Sequence, residues 1–203
     1  MRKADADNLQ LSRFYTVDVV LATISSAALL VAIKLISSWN LKYTLLGGVL
    51  IGLATATKIS ALALLLPFFV AWLLYCSRQR AFFNLKTAGC GAVLLLAALA
   101  AFAFAEPYAF LDSASFLRDI QEQTNMVKGL GRPPYVIQYA HTAPYFYHLK
   151  QMWFYTMGWP LALCVFAGTI LATFRQIRRP QGAEIVLLVF VLGTFLAIGG
   201  YQV

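Results

Sequence analysis

Charge is what this sequence has least of. Only 12% of its 203 residues are Asp, Glu, Lys or Arg, against about a quarter in a soluble globular domain. A soluble chain of this size needs a wetted surface, and so few charges cannot make one. Cysteine and histidine are also scarce. Cys76, Cys90 and Cys164 lie in or beside apolar stretches without ligand-like spacing, which reads as small buried hydrophobes. His141 and His148 stand seven apart with no third ligand at metal spacing, a poor basis for zinc. There is no nucleophile motif, phosphate-binding loop or CxxC, and no internal repeat or low-complexity linker. A cleavable signal peptide is not expected: residues 1–12 are polar, and the first apolar run is longer than a signal core.

What remains is apolar. Hydrophobic residues make up 61% of the chain, and they gather in stretches near the length of about 17–25 residues that spans hydrocarbon. The reading is an all-α polytopic transmembrane helix bundle forming a single transmembrane domain over 1–203. Its spans are expected at about 14–36, 43–57, 59–75, 87–105, 151–174 and 183–197, with one long outer loop at 106–150. The second span carries Gly48-Val49-Leu50-Ile51-Gly52, a small-xxx-small pattern that lets helices approach closely. Two spans across Lys58 are preferred to one kinked helix, because a helix of 43–75 would overshoot the bilayer. Within the loop, 113–128 reads as an interfacial amphipathic helix, with Phe116, Ile120 and Val127 on one face and Asp119, Gln121 and Glu122 on the other.

The net charge of +8 does not point to nucleic acid, because the basic residues sit between apolar spans. Lys34, Lys42, Arg78, Arg80, Lys86, Arg175, Arg178 and Arg179 fall on one side, with Glu184 as the only acid there. That side is expected to be cytoplasmic. The loop at 106–150, the start of the first span and Lys58 then share the outer face of a multi-pass cell-membrane protein.

That face collects the candidate groups. Asp18 lies near the membrane edge, where an ionisable group is costly unless paired or watered; an interfacial anchor is the alternative. Arg13 and Asp18 are five apart, about 140° around a helix, so they are not a stacked pair. Lys58, where two spans meet, is placed to hold a phosphate as a point charge, or else to snorkel to headgroups. Glu106, in Glu106-Pro107-Tyr108, is a candidate acid, base or metal ligand, or a cap before proline. Tyr135, Tyr139, Tyr145, Phe146 and Tyr147 crowd one stretch. They form an interfacial belt or a platform for sugar rings or an isoprenoid chain.

The run Ser12-Arg13-Phe14-Tyr15-Thr16-Val17-Asp18 is followed by Gly52-Leu53-Ala54-Thr55-Ala56-Thr57-Lys58-Ile59-Ser60-Ala61-Leu62 and Glu106-Pro107-Tyr108-Ala109. Then come Gln138-Tyr139-Ala140-His141-Thr142-Ala143-Pro144-Tyr145 and, after Trp153, Gly158-Trp159-Pro160-Leu161. In this order they resemble the bacterial membrane glycosyltransferases related to protein O-mannosyltransferases, the polytopic GT-C enzymes. The resemblance implies transfer of a sugar from a polyprenyl-phosphate donor to a glycan, lipid or protein acceptor on the outer face. It implies Arg13 and Lys58 near the donor phosphate, Asp18 and Glu106 as supporting acids, and Tyr108, Tyr139, His141 and Tyr145 against sugar or lipid. A divalent metal is optional in such sites. The family's catalytic base precedes the span matched by the first one here. Only Asp5 and Asp7 lie upstream, and neither receives that role. The chain is therefore expected to be a central fragment that depends on flanking parts for activity. A transporter or flippase subunit and a non-catalytic scaffold are the alternatives.

Overall fold

The computed structural model describes residues 2–79, 85–127, 143–178 and 182–199, and among them every regular element is helical. Four helices are long and apolar enough to cross a membrane: Asp18–Ser37, Ile59–Gln79, Ala88–Ala105 and Gly158–Arg178. Leu41–Thr57 and Gly182–Ala197 are shorter apolar helices. At a rise of about 1.5 Å per residue, the longer ones reach the roughly 30 Å of a hydrocarbon core. The fold is an all-α polytopic bundle, divided into two compact units, Met1–Pro107 and Tyr108–Val203.

The first unit holds α1 (Arg2–Ser37), α2 (Leu41–Thr57), α3 (Leu65–Gln79) and α4 (Leu85–Ala105). The Asn40 side chain caps α2 by accepting from the Tyr43 N–H at 3.0 Å. The helix stops at Lys58, which is extended (φ −156°, ψ 123°), so 43–75 is not one continuous helix. A 3₁₀ segment, Ile59–Leu64, then leads into α3. Pro67 sits in the first turn of α3 and has no N–H to offer the preceding turn, which winds tighter instead.

Small residues decide the packing. A Cβ on Gly48 would lie 2.5 Å from the Leu94 carbonyl oxygen and 2.7 Å from the Ala97 methyl. One on Gly52 would collide with the Ala98 carbonyl oxygen and sit 2.8 Å from the Ala101 methyl. A four-residue step along α2 thus matches a four-residue step along α4, so the two helices run parallel with their backbones nearly touching. Helix α2 also packs on α1, and α1 on α3. The buried side chains between them include Val31, Leu35, Ile51, Leu64 and Phe68.

The second unit holds α5 (Tyr108–Leu111), α6 (Ser113–Val127), α7 (Phe146–Gln151), α8 (Gly158–Arg178) and α9 (Gly182–Gly199). Asp112 starts α6, its carboxylate accepting from the Ser115 N–H at 3.2 Å. The apolar stretch that the sequence places at 151–174 is divided in two. Met152–Thr156 forms a π-helical turn, and the Met157 N–H donates to Met152 O at 3.1 Å. Gly158 then turns left-handed at φ +70°, and α8 begins. Pro160 supplies the cause: it can donate no hydrogen bond to Thr156, and its ring would clash there in a continuous helix.

Candidate active site

Two of the residues singled out by sequence meet in the first unit. Lys58 Nζ lies 3.7 Å from Asp18 Oδ1. They are forty positions apart, and the hairpin of α1 and α2 brings them level. From Asp18 the apolar part of α1 runs down to Ser37, and after a short turn α2 returns over nearly the same length to Thr57.

The backbone fixes Lys58 more firmly than its side chain does. Its N–H donates to Ala54 O at 3.0 Å, and its own carbonyl accepts from the Ala61 N–H at 2.8 Å. The Thr55 and Thr57 hydroxyls donate back to Ile51 O at 2.8 Å and to Leu53 O at 2.9 Å. Such back-bonding satisfies hydroxyls in apolar surroundings and loosens the helix locally, in the turns before it ends.

The ion pair itself is loose. Its length exceeds a charge-assisted hydrogen bond of about 2.7–2.9 Å, and the side chains are 56% (Lys58) and 70% (Asp18) exposed to the surroundings. Three ammonium donors and most carboxylate lone pairs are left for other partners. A surface pair of this kind contributes only about 0–1 kcal/mol to stability. It leaves a cation and an anion side by side and accessible.

Glu106 follows the last residue of α4, half-buried, its N–H donating to Phe102 O at 2.8 Å. Helix α4 runs parallel to α2, so Glu106 stands at the same end of this unit as Lys58. Lys58 is six residues past Gly52, roughly 9 Å of helix, and Glu106 four past Phe102, roughly 6 Å. Its carboxylate makes no ion pair among the described residues. Arg13 lies on the α1 backbone beyond Asp18, and its side chain is outside the described part.

In the second unit Tyr108 lies on α5 and is 69% exposed. Tyr145 is engaged. Its N–H donates to Gly199 O at 2.7 Å and its hydroxyl to Leu196 O at 3.2 Å. Its ring packs on Phe195 with centroids 5.8 Å apart. Tyr139 and His141 fall outside the described residues. His148 stands edge-on to Tyr147, centroids 5.7 Å apart. Among the described residues no three His, Cys, Asp or Glu side chains come together as a metal ion would require. All three cysteines are free.

Asp18 and Lys58 stand out separately in the sequence, but their pairing does not. The available signal was the near-equal helix length on either side of the 38–40 turn. The pair between Arg175 Nε and Glu184 Oε1, 3.5 Å apart, ties α8 to α9 and is likewise not evident from the sequence. Glu184 was the only acid on the basic side, and an unmatched acid among cations is itself such a signal.

An all-helical membrane chain with an accessible cation–anion pair at a helix break defines the broad class. The profile of glycosyltransferase family 87 matches residues 11–199, and the chain belongs to that family. It is thus a membrane glycosyltransferase by family. Comparison with curated proteins and with solved structures returned no match.

Proposed function

We propose that this protein moves a sugar from a polyprenyl-phosphate donor to an acceptor on the outer face of the membrane, as the O-mannosyltransferase-related enzymes it resembles do. The observation that carries the reading is the Asp18–Lys58 pair, 3.7 Å apart and exposed, in a chain of glycosyltransferase family 87. The distribution of Lys and Arg between the apolar helices supports an outer position for this end.

The reaction is a displacement at the anomeric carbon. The acceptor hydroxyl oxygen forms the new glycosidic bond, and the bond from the anomeric carbon to the phosphate oxygen breaks. The electron pair of that bond leaves with the lipid phosphate, which gains a negative charge. The hydroxyl proton passes to a carboxylate. Lys58 meets the growing charge on the departing phosphate, with Arg13 as a second cation. Asp18 orients Lys58 before the donor arrives. Glu106 is the second acid at that end. Tyr108, Tyr139 and His141 are assigned to sugar or lipid contact; Tyr145 is the weakest of this set, because its hydroxyl is already used.

Photocrosslinking with a polyprenyl-phosphate analogue in native membranes tests this. Labelling is expected around residues 52–62 and is expected to fall in Lys58→Ala, with sugar transfer reduced by about 10²–10³, the usual cost of one oxyanion-stabilising donor. Labelling spread evenly over both faces and unchanged by Lys58→Ala would sink the reading.

A further inference from the structure

Asp18 and Lys58 occupy one end of the first unit; an apolar groove opens along the same unit toward the other. It lies between α3 and α4 and has a volume of about 830 Å³, inside the range of ligand cavities. Phe69 and Trp72 wall it from α3, Ala88, Gly91 and Leu95 from α4, and Trp39 from the turn before α2. It exists because α4 is drawn onto α2 through Gly48 and Gly52 while α3 packs on α1, so α3 and α4 do not close on each other. The α4 wall comes from residues 88–95, the first half of that helix.

The groove runs along the unit: Leu62, Leu65 and Leu66 line it toward the Lys58 end, and Trp39 and Ala88 line it toward the end that carries the basic turns. Trp39 lies 6.0 Å from Tyr75, ring centre to ring centre, which seats the 38–40 turn beside the last turns of α3. Lys42 follows Trp39 by three residues and Arg78 follows Tyr75 by three. Both are exposed, and neither has an ion-pair partner among the described residues. Lys34, at the same end, is already over the Tyr43 ring at 5.2 Å. Apolar walls call for hydrocarbon, and two uncommitted cations near the mouth call for an anion. The Trp39 indole, in the turn between α1 and α2, is what the headgroup boundary selects. An anionic diacyl lipid satisfies all three at once.

We propose that the α3–α4 groove holds an acyl chain of an anionic glycerophospholipid whose phosphate is met by Lys42 and Arg78. Neither Asp18 nor Lys58 lines the groove, and the proposal does not rest on the reaction assigned to that pair.

Tryptophan quenching tests it on the full chain in detergent. Four tryptophans are present; with Trp153→Phe and Trp159→Phe, only Trp39 and Trp72 report. Phosphatidylglycerol with brominated chains should quench them at lower concentration than brominated phosphatidylcholine. Lys42→Gln and Arg78→Gln should each reduce that preference about fivefold, the usual weight of one basic group near an anionic lipid. Gly91→Phe should abolish quenching by both lipids. A Cβ at Gly91 meets nothing within 4 Å, so the new ring can occupy the groove while the helix keeps its packing, which circular dichroism checks. Gly168→Phe, equally open at its Cβ and not lining the groove, should change nothing. In the chain with all four tryptophans, native mass spectrometry should find phosphatidylglycerol retained, and lost in Gly91→Phe. Three results would each overturn the proposal. One is equal quenching by both lipids that Gly91→Phe leaves intact, meaning ordinary bilayer contact. Another is displacement by glycerol phosphate alone, meaning a simple anion site. The third is displacement by polyprenyl phosphate at lower concentration than by phosphatidylglycerol, meaning that the groove serves the sugar carrier.

Discussion

Among the described residues the first unit buries fourteen apolar side chains, Pro67 and thirteen others from Ala28 to Leu94, and the second buries three, Ala109, Ala162 and Val186. Both units hold apolar helices. The difference lies in how close the helices come. In the first, Gly48 and Gly52 let α2 and α4 touch backbone to backbone, and a continuous interior follows. In the second, individual pins stand in for an interior. Arg175 of α8 reaches Glu184 of α9, and Tyr145 fastens to the last turn of α9.

Tyr145 shows what such a pin costs. Its backbone is at φ 61°, ψ −50°, and the Phe146 N–H donates to Pro144 O at 2.6 Å. That is a γ-turn of the positive-φ kind, which a non-glycine residue adopts only under constraint. The constraint comes from Gly199, whose carbonyl holds the Tyr145 N–H. Its bare Cα leaves room for the ring: a Cβ there would lie 2.6 Å from Tyr145 Cδ1.

The contrast can be broken most directly at Gly52. Gly52→Leu should cost about 3 kcal/mol, the upper end for an overpacked interface, because the obstacle is the Ala98 carbonyl, which cannot swing aside. Denaturant titration in micelles measures it. Gly168→Leu in α8, where a Cβ meets nothing within 4 Å, should stay within about 0.5 kcal/mol. Equal losses at both sites would erase the difference between the units. Next in size is Gly199→Ala, expected to cost about 1–2 kcal/mol. Tyr145→Phe should cost about 1 kcal/mol for the lost hydroxyl bond. Faster hydrogen exchange at the end of α9 is the sign to look for, and unchanged exchange in both variants would show that Tyr145 is no pin.

The two ion pairs give the smallest effects on stability and the sharpest contrast in role. Glu184→Gln should loosen the hold of α8 on α9 by about 0.5–1 kcal/mol, since its side chain is only 24% exposed. Asp18→Asn should change stability by less than about 0.5 kcal/mol, yet lower sugar transfer. A destabilised Asp18→Asn protein with normal transfer would make that pair a scaffold element like the other.

Much of this was legible in the sequence, for reasons that can be named. Hydrophobic stretches of bilayer length announced the helices, because in lipid every backbone group must be satisfied within the segment. The glycines at 48 and 52 announced a close contact through their four-residue spacing, but not that α4 would supply the other side. Asp18 and Lys58 were conspicuous as charges at span ends. Their pairing depends on the register of a hairpin, which composition does not carry. The break at Met157–Gly158 was present as Gly158-Trp159-Pro160 and was overridden by the apolar run around it. The pin at Tyr145 left no trace in sequence, because any tyrosine among several could have made it. Tyr139 and His141 belong to the same aromatic crowding and lie outside the described residues.

The contact between α2 and α4 also bears on inheritance. Every amino acid other than glycine carries a Cβ, so every missense change at position 48 or 52 pushes an atom into the Leu94 or Ala98 carbonyl oxygen. No conservative replacement exists at either place, although neither residue contributes a side chain to the fold. Two positions that look empty are thus where variation in this protein should be least tolerated.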